Sequence, residues 1–206
     1  MLSGRPYPPR DLIESPAAAF APDAALAEWV AETFIAEGAT LENPDHAHLR
    51  SARIGFLWTN VENARRGRKI LGTCQLMPPH GEPWGAARAE SQIVAWFGHL
   101  PDFLITLYAP DAADMEDWQF CALVEHELMH AAQSKDRYGM PIFSKKTGRP
   151  VWALAGHSVE EFVGVVRRYG ATSPELSAMV RYVNKGPEIA ATKIANACGT
   201  CMRARA

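Results

Sequence analysis

Two histidines one helical turn apart enclose a glutamate in the middle of the chain, within Val124–Ala132. On a helix, His126 and His130 lie about 6 Å apart along the axis and project from the same face. One tetrahedral zinc ion can therefore bind both imidazoles. Glu127 projects about a third of a turn away, too far round to bind the metal but able to take a proton from a metal-bound water. The spacing predicts a zinc site whose general base is Glu127.

A catalytic zinc ion takes three protein ligands and leaves a fourth position open, so a third side chain is needed. We expect this ligand to be His157, which lies 27 positions after His130 at the start of a predicted helix. Gly156 would let the backbone approach closely there. Glu160 and Glu161 follow three and four residues later and partly share the face of His157. Either glutamate could replace His157 as the ligand, and the other could bind the free N–H of a ligand imidazole.

Helices in the second half of the chain must position these histidines. The apolar pattern predicts a long helix that begins near Asp111 or Asp114 and runs toward Tyr138, where Gly-Met-Pro ends it. An irregular basic connection follows. Two further helices are predicted, one over residues 158–169 and one that begins at Ser173.

The first half of the chain is predicted to supply a helix and a small sheet. The helix begins at Asp23, its N-cap, and ends at Gly38. The strand-like runs are Ile54–Trp58, Lys69–Leu76, Gln92–Phe97 and Phe103–Tyr108. The last two runs look like the arms of a hairpin. Gln92–Phe97 is the candidate sheet edge to which a peptide substrate could add a strand.

These patterns predict an α+β fold, with a small, twisted, mostly antiparallel sheet packed on the metal-binding helix and further helices after it. The chain of 206 residues is 48% hydrophobic, enough for one core. We expect a loose N-terminal extension at 1–22, a single domain at 23–185 and a C-terminal tail at 186–206.

The composition gives no sign of a membrane or secreted protein. The net charge of −2 provides no strong field toward nucleic acid or a membrane surface. No run reaches the roughly 20 apolar residues of a membrane span. The first residues lack the apolar region of a secretory signal. We therefore expect a cytoplasmic protein with reduced thiols.

The region from Phe103 to Gly170 resembles a known family of enzymes. The residues concerned are His126-Glu127-Leu128-Met129-His130, then Gly156-His157 and Glu161-Phe162 after a basic connection. This arrangement is similar to the SprT-like metallopeptidases, and closer to the phage-type metallopeptidases, whose second motif reads His-Asp-x-Glu-x-Phe and ends in Tyr-Gly. The second motif is matched by His157, Glu160, Phe162 and Tyr169-Gly170, with Ser158 in place of the usual aspartate. The resemblance implies a zincin-like fold, His157 as the third ligand and peptidase activity, but no particular substrate.

Two functions fit these residues. The first is zinc-dependent hydrolysis of peptide bonds in a protein or peptide substrate, which includes a regulatory protease that cleaves one partner. The second is a zinc-containing but catalytically inert binding or regulatory protein. Its basic residues at 65–69, with Arg203 and Arg205, would contact nucleic acid or a protein partner. Glu127 favours the enzyme, because a structural zinc site would need a fourth ligand instead.

Several other polar residues have no assigned role in this scheme. Cys198 and Cys201 form half of a zinc ribbon, so they are either an incomplete metal clip or part of an ordinary tail. His46 and His48 lie near a proline and are expected in a loop. The candidates for stabilising the oxyanion are Tyr138, His99 and Arg168.

Overall fold

The protein, described by a computed structural model over residues 4–65, 68–159, 163–171 and 173–192, is an α+β domain. The α-helices are α1 (Arg10–Glu14), α2 (Ala24–Val30), α3 (Pro83–Phe97), α4 (Ala109–Asp114), α5 (Asp117–His130), α6 (Val163–Tyr169) and α7 (Pro174–Lys185). A π-helical turn at Ala31–Ile35 continues α2, and a 3-10 helix spans Pro44–Ser51. The strands are β1 (Phe20–Pro22), β2 (Ile54–Thr59), β3 (Ala64–Arg65), β4 (Arg68–Lys69), β5 (Gly72–Leu76), β6 (Phe103–Tyr108), β7 (Ala131–Gln133) and β8 (Trp152–Leu154). Within the described residues, every helix is too short or too polar to cross a membrane.

A four-stranded sheet with the order β1-β2-β6-β5 forms the centre of the fold. The central strands β2 and β6 are parallel, with Ile54 opposite Phe103. The outer strands β1 and β5 pair antiparallel with β2 and β6. Two of the three strand pairs are therefore antiparallel, as expected, and the parallel central pair makes the sheet mixed. Two short antiparallel pairs, β3-β4 and β7-β8, lie outside it.

Helix α5 packs its apolar side against one face of the sheet. Phe120 stacks on Trp58 of β2 with ring centroids 5.9 Å apart, and Val124 and Leu128 continue this buried side. All four side chains are fully buried. Burial of each such side chain stabilises the fold by about 1.5–3 kcal/mol. This packing fixes the rotation of α5 about its axis and so determines the direction of its histidines.

Helix α3 packs on the opposite face of the sheet, where a strand at Gln92–Phe97 is predicted. That prediction is wrong. Glu82 caps α3 by accepting hydrogen bonds from two backbone N–H groups, and Gly98 ends it at a φ of 71°. Ile93 is buried against Leu57 of the sheet. The apolar run is short enough to fit both strand and helix periods, and burial on the sheet favours the helix.

The predicted hairpin and its substrate-binding edge are absent for the same reason. The edges of the four-stranded sheet are β1 and β5. In β5, Gly72 and Cys74 are buried. These two residues of β5 are therefore shielded from solvent, whereas Thr73, Gln75 and Leu76 are half-buried.

The long helix predicted from Asp111 or Asp114 is two helices with a break between them. Glu116 begins α5 through a capping box, since its side chain and that of Gln119 each accept a hydrogen bond from the other's backbone N–H. Asp111 instead forms an ion pair with Lys69. The predicted caps are therefore wrong, because a closer pair of cap residues lies downstream.

Helices α2 and α7 begin at the cap residues that the sequence predicts. Asp23 caps α2 by accepting from the Leu26 N–H at 2.9 Å, and Ser173 caps α7 by accepting from the Leu176 N–H at 3.1 Å, both as predicted. The predicted strand Lys69–Leu76 is divided between β4 and β5.

The N-terminal segment, expected to be a loose lead-in, packs against the domain instead. Arg5 is buried, and its guanidinium donates to the backbone carbonyls of Ala112 in α4 and of Met115, the residue after it. Its Nε lies 3.0 Å from the carboxylate of Asp117, which begins α5. A single buried cation thus ties the N-terminal segment to the start of α5.

We expect Arg5→Ala to lower the free energy of unfolding by about 2–4 kcal/mol, since two carbonyls lose a charged donor. The matched variant Arg10→Ala removes an exposed arginine from α1 and should change stability by less than about 0.5 kcal/mol. Urea unfolding followed by circular dichroism measures both. Equal midpoints for the two variants would show that the Arg5 contacts do not hold the segment.

Candidate metal centre

His126 and His130 lie on one side of α5 with their Nε2 atoms 3.4 Å apart. The Nδ1 atom of His130 lies 2.7 Å from the backbone carbonyl of Ala155. Because a carbonyl can only accept, Nδ1 carries the proton, and the Nε2 lone pair is left available toward His126. A backbone hydrogen bond therefore fixes the tautomer that a metal ligand requires.

His157 brings a third imidazole to the same point. Its Nε2 lies 3.3 Å from the Nε2 of His126, and its ring centroid lies 5.3 Å from that of His130. Partial burial and the neighbouring His130 lower the pKa of His157 below its usual value. A lower pKa keeps the imidazole neutral near pH 7, which is the form that binds a metal.

The three nitrogen atoms fit a tetrahedral metal ion. All three lie within 4.8 Å of one another. Two nitrogens bound to one zinc at about 2.0–2.1 Å with tetrahedral angles are separated by about 3.3–3.4 Å. The separations around His126 agree with this value. The cluster can therefore hold one metal ion and leave one coordination position open.

Glu127, the residue between the two helical histidines, is completely buried and is not one of the three side chains that form the cluster. Its carboxylate lies against the backbone of β5 at Gly72. A Cβ atom at position 72 would lie 2.7 Å from Oε1 and 2.9 Å from Cδ of Glu127. Only glycine allows this approach, so Gly72 sets the position of the carboxylate. No motif in the sequence identifies this role, because it depends on contact between distant segments.

The 3-10 helix at Pro44–Ser51 supports α5 from outside, although His46 and His48 are predicted in a loop. Asn43 donates to the Glu125 carboxylate at 2.9 Å, and the buried His46 ring lies 3.7 Å from the same oxygen. Although burial opposes ionisation, these two neighbours hold the pKa of Glu125 below its usual value. His48 Nε2 donates to the Ala131 carbonyl at 2.8 Å. The loop prediction is wrong, and these side chains fix the helix turn that carries His126 and His130.

Helix α5 ends at His130, not at Tyr138 as predicted. The chain continues directly into β7, which pairs with β8, so Ala131 lies opposite Leu154. Ala155 then donates its N–H to the His130 carbonyl at 2.9 Å. A β-hairpin thus replaces the predicted continuation of the helix, and its return strand brings His157 back to the metal centre.

The remaining predicted site residues are placed as follows. Gly156 needs no close approach, since nothing lies within 4 Å of a Cβ built there. Glu160, Glu161, Cys198 and Cys201 lie outside the described residues. The glutamates therefore remain an alternative to His157 as the third ligand.

We expect the purified protein to bind about one zinc ion per chain through the three histidines. Removing a side chain that hydrogen-bonds to a metal ligand weakens metal binding by about 10- to 100-fold. His157→Ala removes a ligand itself, so we expect it to weaken zinc binding by more than this. His80→Ala removes an exposed histidine and serves as the control. Elemental analysis after dialysis measures occupancy.

If His157→Ala keeps full occupancy while Glu160→Ala or Glu161→Ala loses the metal, the third ligand is a glutamate. Full occupancy in all three variants would mean that two imidazoles bind the ion with some other partner.

Comparison with known proteins gives one match. A family model described as "Putative phage metallopeptidase" matches residues 27–184, which include the three histidines, Glu127 and Gly72. No curated protein and no solved structure matches the chain. Because the match covers most of the chain, the protein belongs to the family of putative phage metallopeptidases.

Proposed function

We propose that the protein is a zinc-dependent metallopeptidase that hydrolyses peptide bonds. The observation that carries this proposal is the arrangement of three histidines and one glutamate at the C-terminal half of α5 and beside it. The Nε2 atoms of His126, His130 and His157 converge, while the carboxylate of Glu127 lies apart from them against β5. A structural zinc site would take a fourth protein ligand, and three nitrogen donors beside a separate carboxylate are typical of a catalytic site.

The proposed chemistry assigns one role to the metal and the others to the chain. A zinc ion held by His126, His130 and His157 would supply Lewis-acid chemistry, polarising the scissile carbonyl and lowering the pKa of a water molecule. Glu127 accepts the proton of the attacking water and then donates it to the departing amine nitrogen. The Nδ1–H donated by His130 to Ala155 keeps its imidazole oriented and increases its basicity as a ligand.

Burial supports the role of Glu127 as a base. The carboxylate is enclosed between α5 and Gly72 of β5, so it has little freedom to rotate away. A base held within a fraction of an ångström of its working position loses less entropy in the transition state. The close packing surrounds the carboxylate of Glu127, whereas His157 is exposed, which agrees with this requirement on the base.

An open apolar groove beside His157 suits the side chains of a peptide substrate. It has a volume of about 780 Å³, and Ser158, the residue after His157, is one of its lining residues. The groove runs along α7, and among its lining residues are Val159, Ala178, Met179, Tyr182 and Val183. Ligand sites of this size are lined mainly by apolar side chains. We therefore place the substrate on this side of the centre.

We expect Glu127→Gln to retain about one zinc ion and to lower the rate of peptide hydrolysis by about 10²- to 10⁴-fold, the contribution of a general base. A broad peptide-library digest read by mass spectrometry measures cleavage, and elemental analysis of the same samples measures zinc. Equal cleavage by the wild type and the variant would refute this role. Zinc-loaded wild type that cleaves no peptide would favour the inert binding protein.

We expect Gly72→Ala to retain zinc but to lower kcat by about 10²-fold or more, since a displacement of about 1 Å at a catalytic group has effects of this size. The added methyl group must displace the Glu127 carboxylate or the strand beside it. Rates with a peptide found in the library digest give kcat and KM separately, and thermal unfolding checks the fold.

Gly156→Ala is the matched control, because a Cβ at position 156 meets nothing within 4 Å although the residue adjoins His157. Its zinc content and kcat should equal those of the wild type. Unchanged kcat in Gly72→Ala would show that the close approach to Glu127 has no part in catalysis.

A further inference from the structure

The segment between β7 and β8, residues 134–151, folds into a compact projection that we call the basic arm. Ser134 donates to the Val151 carbonyl, and Ile142 donates to the Ser134 carbonyl, so three chain segments meet at its base. Two isolated bridges join Lys135 to Pro141 and Phe143 to Pro150. The arm therefore consists of a short central segment at 141–143 with a turn on either side.

The pairing shows which side chains share the outer face of the arm. Lys135 lies opposite Pro141, and Phe143 is two residues further along the same segment, so their side chains point to one side. Ile142 points to the other side and is half-buried. Lys135 and Phe143 thus lie together on the exposed face.

Cationic residues flank this face at both turns. The turn closed by the hydrogen bond from Asp136 to Met140 carries Arg137, and the turn between Ser144 and Arg149 carries two lysines. The exposed cations are Lys135, Arg137, Lys145 and Lys146. Within the described part of the chain, none of these four forms an ion pair.

The arm has few groups that could neutralise this charge. Its one acidic residue, Asp136, accepts hydrogen bonds from the backbone N–H groups of Tyr138 and Met140 at 2.8 and 2.9 Å. A fifth cation, Arg149, is engaged by Asp102 through two contacts of 3.0 Å, which attach the arm to the start of β6. The surface is therefore positive, although the whole chain has a net charge of −2.

Two exposed aromatic rings accompany the cations. Phe143 is 53% exposed and Tyr138 is 73% exposed, and the guanidinium of Arg137 lies 4.7 Å above the Tyr138 ring. Exposed aromatic rings between cations are suited to a ligand that offers both negative charge and flat rings. Phosphates provide the charge and unpaired bases provide the rings.

We infer that the basic arm binds single-stranded nucleic acid. The phosphates of a duplex can contact the lysines, but its bases are paired and stacked and cannot stack on Phe143. The carboxylates of an acidic protein can likewise contact the cations, but they provide no flat ring to stack on the exposed aromatic side chains. The binding uses no residue of the metal centre, so it goes beyond the proposed peptidase activity and does not depend on it.

The test uses the full-length, zinc-loaded Glu127→Gln protein and a labelled single-stranded oligothymidylate, with binding followed by fluorescence anisotropy. We expect Lys145→Glu with Lys146→Glu to weaken binding by at least about 10-fold. Loss of two phosphate contacts should also reduce the slope of log K against log salt by about 1.4. Arg10→Glu with Arg88→Glu makes the same change in net charge at exposed positions outside the arm and should change affinity less than about 2-fold.

The aromatic part of the inference has its own variant. Phe143→Ala should weaken binding of the oligothymidylate by about 5- to 150-fold, the effect of one lost base stack. Trp84→Ala removes a ring that is 85% exposed on α3 and should have no effect. A duplex of equal length should bind more weakly than the single strand and be insensitive to Phe143→Ala.

Three results would overturn the inference. The first is an equal loss of affinity in the lysine pair and the arginine pair, which would indicate net charge alone. The second is a duplex that binds as tightly as the single strand. The third is competition by polyglutamate at equal charge concentration together with no effect of Phe143→Ala, which would identify an acidic protein as the partner.

Discussion

His130 is bound twice to Ala155, and the metal centre depends on these two hydrogen bonds. The Ala155 N–H donates to the His130 carbonyl, and the His130 Nδ1–H donates to the Ala155 carbonyl. The first bond closes the β-hairpin that replaces another turn of helix, so His157, two residues after Ala155, returns to the end of α5. The second bond fixes the tautomer and presents the Nε2 lone pair. Without this double contact, two ligands would remain on α5, but the third would have no reason to lie beside them.

Burial in this centre increases from the third histidine toward Glu127, the proposed base. His157 is exposed, His126 is partly buried, and His130 and Glu127 are buried. The buried side is held by the packing of α5 on the sheet, by the contacts of Glu125 and Ala131 with the 3-10 helix, and by the close approach of Gly72. A proton acceptor must be placed more accurately than a metal ligand, which can follow the ion. The distribution of packing agrees with that requirement.

The chemistry could be predicted from the sequence more fully than the architecture around it. The spacing of His126, Glu127 and His130 is a property of one helix, so periodicity is sufficient to place them. His157 follows from the number of ligands that zinc needs and from its position at a predicted helix start. The strand prediction for Gln92–Phe97 is wrong because a short apolar run fits a strand and a helix equally well, and only packing on Leu57 decides between them. Gly72 and His48 could not be found at all, because their roles arise from contacts between segments far apart in the chain.

The gradient of burial also bears on the side from which the proposed substrate would approach. His130 and Glu127 are buried, whereas His157 is the exposed member of the cluster, so a polypeptide would meet His157 first. Two surfaces adjoin His157 along the chain. Ser158, the next residue, is one of those that line the apolar groove, and the basic arm leads into β8, which ends just before Ala155. The hairpin that brings His157 to the cluster therefore also carries the basic arm. The residues of the arm and the groove can thus change without altering the contacts that fix Glu127.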